Sequence, residues 1–277
     1  AVFDGTKMSF EVAYDERETQ RRLALAQETF GDLLPVRLSG LRHVSFHLMD
    51  MYTKRRGLLQ TLEDLVENPG FVEDAMEFLT AGHLGLIRQY EALNLLGLNH
   101  DGAYHSSGGV TYLAAPIRPG ADQRQALPAD CWASAESQEM APVSPAMHEQ
   151  FVMRYERRLL ERFGLNGYGC CEPLDGKIDR VLAFPRMRRI SVSPFANVAR
   201  CAAAIGDKAI VSWKPSPTHL VGVFNEPLVR ATLREGFAAS KGCRVEVILK
   251  DTHTCEGHPE RFTLWTDICR EEIAALG

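Results

Sequence analysis

The chain has 277 residues, 45% hydrophobic and 24% charged, with a net charge of -5 and a mean hydropathy of -0.17, figures that suit a globular protein long enough for a sizeable core. An acidic balance with pI near 6.0 leaves no electrostatic footprint for nucleic acid or a membrane surface, and no run of about 18 apolar residues is present to span a bilayer. Seven cysteines, an odd number without the spacing of a disulfide scaffold, fit a reducing, cytoplasmic setting.

The first residues, AVFDGTKMSFEV, have neither a basic stretch nor an apolar one, so no signal peptide is expected. They also lack an initiator Met, which leaves processing or an upstream segment open. Residues 1–40 read as an extension containing a helix over 20–30. Residues 41–49 alternate like a strand. LLQTLEDLVEN reads as a helix, and after Pro69-Gly70 a longer helical pattern runs over 71–96, with Phe71, Ala75, Phe78, Leu79 and Leu86 on one face.

Strand and helix then alternate. GLNHDGAYH reads as a strand entering a loop of Gly108 and Gly109, and a further strand lies over 129–135. Ser144-Pro145 is a cap followed by proline at the first helical position, opening a helix over 145–163. Strand 167–171 precedes a helix marked by Ile178, Val181 and Leu182. Strand 189–193, entered by the solvated basic run Arg186 to Arg189, leads to Asn197, which caps a helix that Gly206 ends. Strand 209–213, helix 227–239, strand 244–249 and helix 259–275 complete the chain. Such alternation predicts a parallel sheet with crossover helices. The number of units and the length favour one domain over 1–277, an α/β (β/α)8 TIM-type barrel with an N-terminal helical extension. No G-x-G-x-x-G follows a strand and no Walker loop appears, which counts against nucleotide binding.

In such a barrel the chemistry belongs to the loops after the strands. Two clusters of soft ligands stand there: Cys170, Cys171 and Glu172 after one strand, His253 and Cys255 after another. Thiolate and imidazole are zinc ligands, and a catalytic zinc keeps one position open. His253, Cys255 and one of Cys170 and Cys171 make a candidate set, with Glu172 or Glu136 available for the fourth position. Neighbouring residues on a strand face opposite ways, so one of the two adjacent cysteines is expected to enter the site. Glu136, Glu172 and His105 are candidate proton partners. His100, Asp101 and Tyr104, with Trp213 and Lys214, are candidate substrate-binding residues.

Other polar groups have plainer roles. Cys131, Cys201 and Cys269 read as core, and Cys243 as structural. His83, His148 and His258 have no partner in sequence and read as surface or helix-flanking residues. Without a G-x-S-x-G elbow, Ser/His/Asp hydrolysis has little support.

The stretch from Tyr168 to Pro217, YGCCEPL through RRISVSPFANVARCAAAIGDKAIVSWKPSP, resembles the second half of the uroporphyrinogen decarboxylase superfamily. MYTKRRGLLQTLEDLVENPGFVEDAMEFLT resembles that superfamily's helical passage with its Asp/Asn-Pro helix start. The resemblance extends over roughly residues 45–277. It points most closely to the zinc-dependent, corrinoid-linked methyltransferases, whose metal ligands are a His-x-Cys and a later Cys. Carried across, Cys171 and Cys255 fall at the two cysteines. Gly169 stands where the family has histidine, and His253 is the imidazole that would replace it. The resemblance implies Zn2+ as a Lewis acid, a small O-, N- or S-methylated substrate, and methylcobalamin or another corrinoid carried by a partner protein; a homodimer is admitted. A metal-free decarboxylase of the same superfamily and a non-catalytic barrel subunit are the alternatives. The family's Arg-rich substrate motif is not recognisable here, which counts against the decarboxylase.

Overall fold

The computed structural model describes residues 8–105, 109–121 and 125–276. Gly108 of the expected glycine-rich loop and the first seven residues lie outside that range. Strands β1 (Ser45–Phe46), β4 (Trp132–Ala135), β5 (Leu165–Tyr168), β6 (Met187–Val192), β7 (Ile210–Trp213) and β8 (Arg244–Val247) form one sheet in that order. All five of its pairings are parallel. Among the described residues no ladder joins β8 to β1. The architecture is therefore a six-stranded parallel α/β sheet; the eight-stranded closed barrel expected from the alternation is not shown.

The strand read over 97–105 is absent from the sheet because of a pairing between distant segments. The chain after α4 (Pro69–Ala92) runs beside the segment leading into β1, with a parallel bridge between Leu41 and Leu96. The Asn99 amide donates to the carbonyls of Arg42 and Trp132, so this segment begins to insert between β1 and β4. Those strands then pair directly, Ser45 with Ser134, and close the slot. The displaced chain folds into an antiparallel hairpin of β2 (Asp101–His105) and β3 (Gly109–Tyr112). Residues 41–49 likewise give only two strand residues, because helix α2 (Leu48–Arg56) starts directly after His47.

Helices α1 (Glu16–Phe30) and α3 (Leu58–Glu67) precede α4. Pro145 opens α5 (Pro145–His148), with the Ser144 hydroxyl accepting the Met147 amide. A π-helical turn, Glu149–Met153, leads into α6 (Arg154–Leu160). The apolar spacing of four residues runs ahead of the 3.6-residue turn, and the wider π-turn takes up the difference. Phe151, Tyr155, Leu159 and Phe163 are accordingly all buried. Helix α7 (Ile178–Leu182) follows β5. Helix α8 (Val198–Ile205) is capped by the Asn197 side chain, which accepts the Arg200 amide, and ends at Gly206. Helices α9 (Glu226–Ala239) and α10 (Glu260–Ala274) complete the chain.

Side chains alternate across each strand. Ile190, Val192, Val211 and Trp213 are buried on the face that α8 and α9 cover. A Cβ on Gly236 of α9 would stand 2.1 Å from the Trp213 ring, so helix and strand meet through that glycine. The opposite face is polar: Ser134 donates to Ser45 at 2.9 Å, and Arg189 pairs with Glu246 at 2.5 Å. The β2–β3 hairpin lies against this face. His105 packs edge-on to Trp132, with ring centres 5.8 Å apart, and the Arg189 guanidinium donates to the Val110 carbonyl.

Candidate active site at the carboxyl edge of the sheet

Strand β1 delivers His47 and β4 delivers Glu136 to the same edge. His47 Nδ1 and Glu136 Oε1 are 2.5 Å apart. The hydrogen bond to Glu136 raises the His47 pKa above its ordinary value of 6.5, against the opposing effect of burial. Burial alone would raise Glu136; hydrogen bonds from His47 and Cys170 hold it below its ordinary value. The pair therefore favours imidazolium and carboxylate, each stabilising the other. Gln138 adds a donor to Glu136 at 3.4 Å.

Beside this pair, β5 ends at Tyr168 and the chain turns at Gly169, whose φ is +92°. A side chain is poorly tolerated in that region, and a Cβ there would meet Leu174 at 2.6 Å. The turn changes the expectation for the two cysteines. On a continuing strand they would face apart, whereas after Gly169 their sulfurs are 3.7 Å apart. Lys250, three residues beyond β8, donates to Cys170 Sγ at 3.1 Å and to Cys171 Sγ at 3.4 Å. Cys171 in turn donates to Asp251 Oδ2 at 3.4 Å. Its hydrogen bond with Cys170 and the Lys250 charge pull the Cys171 pKa down to about 7, against burial. Burial works against the Lys250 ammonium, but its bond to Cys170 and the charge of both sulfurs keep it protonated.

Glu172 stands behind the cysteines rather than facing the edge. It is 1% exposed, and its carboxylate accepts the Cys170 amide at 2.8 Å and the Ser137 amide at 3.3 Å. Burial pushes its pKa up to about 7, against those main-chain bonds. Ser137 passes on to Glu156 at 2.9 Å, which also accepts from the Tyr168 hydroxyl at 2.8 Å. His148 lies 3.0 Å from the same hydroxyl. It is fully buried in this network between sheet and helices; of the surface or helix-flanking positions expected for it, it holds the second, at the end of α5.

The remaining candidates are dispersed. Lys214 is 1% exposed on the polar face, donating to the Ser212 hydroxyl and carbonyl at 3.0 and 3.1 Å; burial lowers its pKa to about 8. Trp213 faces the other way, into α9, and borders a cavity of about 400 Å3 with Asn197, Thr232 and Glu235. His100, Asp101 and Tyr104 stand toward the amino ends of β1 and β4. Asp101 pairs there with Arg42, and Tyr104 stacks on His43 at 5.2 Å. His105 is buried against Trp132, and burial with the nearby Arg189 charge pulls its pKa down to about 3. These four were expected on the rim because 97–105 read as a barrel strand; the hairpin carries them elsewhere.

The expected ligand set is likewise divided. Cys170 and Cys171 meet Lys250 and Asp251, while His253 is exposed and Cys255 half-buried in the following loop. Among the described residues no group of three or more His, Cys, Asp or Glu side chains is placed to hold a metal ion. An ammonium stands at hydrogen-bond distance from both sulfurs, where a cation would have to bind. The residues in this arrangement do not fit a preformed zinc tetrahedron. His47 and Lys250 were missed in the sequence. Reading the end of the first strand as the later ones were read would have found His47, and Lys250 lies three residues before the candidate ligand His253.

No protein-family model matches the chain, and no curated protein matches it. Among solved structures, the fold is similar to a methyltransferase from Methanosarcina mazei, with a TM-score of 0.52 at 10% sequence identity. The match covers 90% of this chain and 62% of the other, so the chain spans less than two thirds of that protein. At this identity the likeness shows the fold alone.

Proposed function

We propose that the chain is a methyltransferase acting on a small methylated substrate at the carboxyl edge of the sheet. The observation that carries this reading is the His47–Glu136 pair at 2.5 Å beside the Cys170–Cys171–Lys250 group, at the strand ends where parallel α/β folds build their sites. The fold likeness to a named methyltransferase and the resemblance of residues 168–217 support it. In the reaction the bond between the methyl carbon and its heteroatom breaks and a bond from that carbon to the acceptor forms. The leaving heteroatom takes the proton from imidazolium His47, and Glu136 stabilises the charge until that transfer. Glu172 holds the two loops by their amides. The acceptor belongs to the proposal too: the resemblance implies the corrinoid of a separate protein. Zinc would require Lys250 to withdraw and the ligands to regroup, so no step is assigned to it.

The test supplies purified protein with free cob(I)alamin and a panel of methyl ethers, thioethers and methylamines, and follows methylcobalamin by absorbance. Turnover that falls by about 10²–10⁴ in His47→Gln, the span typical of a general acid, supports the reading. Absence of methylcobalamin with every donor, or turnover indifferent to His47, refutes it.

A further inference from the structure

The sulfurs of Cys170 and Cys171 lie 3.7 Å apart, brought together by the turn at Gly169 and by the Glu172 carboxylate on the Cys170 amide. We propose that these adjacent cysteines are a redox-active dithiol, which a low-molecular-weight disulfide closes into an intramolecular disulfide. A disulfide needs its sulfurs about 2.05 Å apart, so they must approach by less than about 2 Å. Adjacent Cα atoms stand about 3.8 Å apart across a trans peptide, closer than the roughly 4.4–6.8 Å usual for a disulfide. The backbone of the turn must therefore adjust as well, and the bond formed is strained and readily reduced. Both residues are half-buried, whereas Cys131, Cys201 and Cys269 are buried in the core. Lys250 reaches both sulfurs, and a neighbouring cation favours the thiolate that performs exchange. Cys243, also half-buried, donates instead to the Ala202 carbonyl.

The chemistry balances in two exchanges. The Cys171 thiolate attacks one sulfur of the small disulfide; a mixed disulfide forms and one small thiolate leaves. The Cys170 sulfur then attacks the Cys171 sulfur, the protein disulfide forms and the second small thiolate leaves. Two cysteines are oxidised by two electrons, one disulfide is reduced to two thiols, and the cysteine protons end on those thiols. Closure takes from Lys250 both sulfur acceptors and leaves it Asp251, now 3.5 Å away. None of this depends on methyl transfer.

The test treats the reduced full chain with oxidised glutathione, then counts thiols after denaturation and maps peptides by mass. The expected result is a loss of two thiols from the seven present, with the peptide carrying Cys170 and Cys171 two hydrogens lighter and free of glutathione. Cys170→Ser stops at the first exchange, with glutathione retained on Cys171 and released by dithiothreitol. Lys250→Met, with its fold checked by circular dichroism, slows the first exchange by about tenfold as the thiolate fraction falls. A stable glutathione adduct on the wild-type pair, loss of thiols elsewhere instead, or no loss at all would overturn the proposal.

Discussion

The Glu172 carboxylate accepts the amide of Cys170 at 2.8 Å, and its second oxygen accepts the amide of Ser137 at 3.3 Å. One buried side chain thus fixes two loops, the one carrying Glu136 and the one carrying both cysteines. In Glu172→Gln the amide group must face an N–H with an N–H of its own. A buried donor left unsatisfied costs about 1–3 kcal/mol, so the variant should lose that much stability in urea denaturation. A variant as stable as the parent would show that Glu172 does not clamp these loops.

The same residue gives a pH signature. Its pKa in the folded protein is about 7 against an ordinary 4.5, so the folded state holds its proton more tightly than the unfolded chain does. Its contribution is fully present below about pH 4.5, declines as pH rises through 4.5–7, and is absent above. The shift corresponds to about 3 kcal/mol. Urea titrations across that window should give wild type a steeper loss with rising pH than Glu172→Gln. Equal slopes would assign the proton elsewhere.

Glu136, itself buried, governs His47 through their hydrogen bond at the carboxyl edge. Removing the carboxylate charge in Glu136→Gln takes away the largest influence raising the imidazole pKa. The His47 ring resonances, followed by NMR, should then titrate at a lower pH, by about one unit, the scale of a neighbouring charge. Because the proposed acid works as imidazolium, the alkaline limb of any methyl-transfer profile should move down by the same amount. An unmoved titration would mean that the contact is absent in solution.

Much of the frame was legible because local chemistry decided it. Asn197 and Gly206 bound α8, Ser144-Pro145 opens α5, and the five later strands fall where short apolar runs stand between turns. The misplaced strand was 97–105. Its composition suits a strand, but the direct pairing of Ser45 with Ser134 leaves no slot for it, and a pairing between distant segments leaves no local mark. The two cysteines failed differently: alternation places them apart, and only the positive φ of Gly169 brings them together. Glu136 was legible as a strand-end carboxylate; its partner His47 was hidden in a segment read as strand to its end.

Gly169 therefore offers a direct test of how the pair is built. In Gly169→Ala the new Cβ meets Leu174 Cδ1 at 2.6 Å and Ser191 Cβ at 3.1 Å, in a backbone region that alanine avoids. Strain of this kind costs about 1–3 kcal/mol, and relieving it requires the turn to reopen. Thermal unfolding should shift down, and formation of the Cys170–Cys171 disulfide under oxidised glutathione should slow together with it. Unchanged stability and an unchanged oxidation rate would show that another feature sets the approach of the sulfurs.

Metal uptake can be tested on the same residues. The structure joins Cys170 and Cys171 to Lys250 and Asp251 but does not join them to His253 or Cys255. Zinc added to the reduced protein should bind weakly while the ammonium stands at both sulfurs, since binding must displace it. Lys250→Met removes that competitor and should tighten zinc binding by about tenfold or more, the equivalent of about 1.4 kcal/mol. Cys171→Ser should abolish the gain, while His253→Ala and Cys255→Ser should leave it intact. The check is chelator competition with elemental analysis of the desalted protein. Stoichiometric zinc in the wild type that disappears with Cys255→Ser would instead establish the ligand set first expected from the sequence.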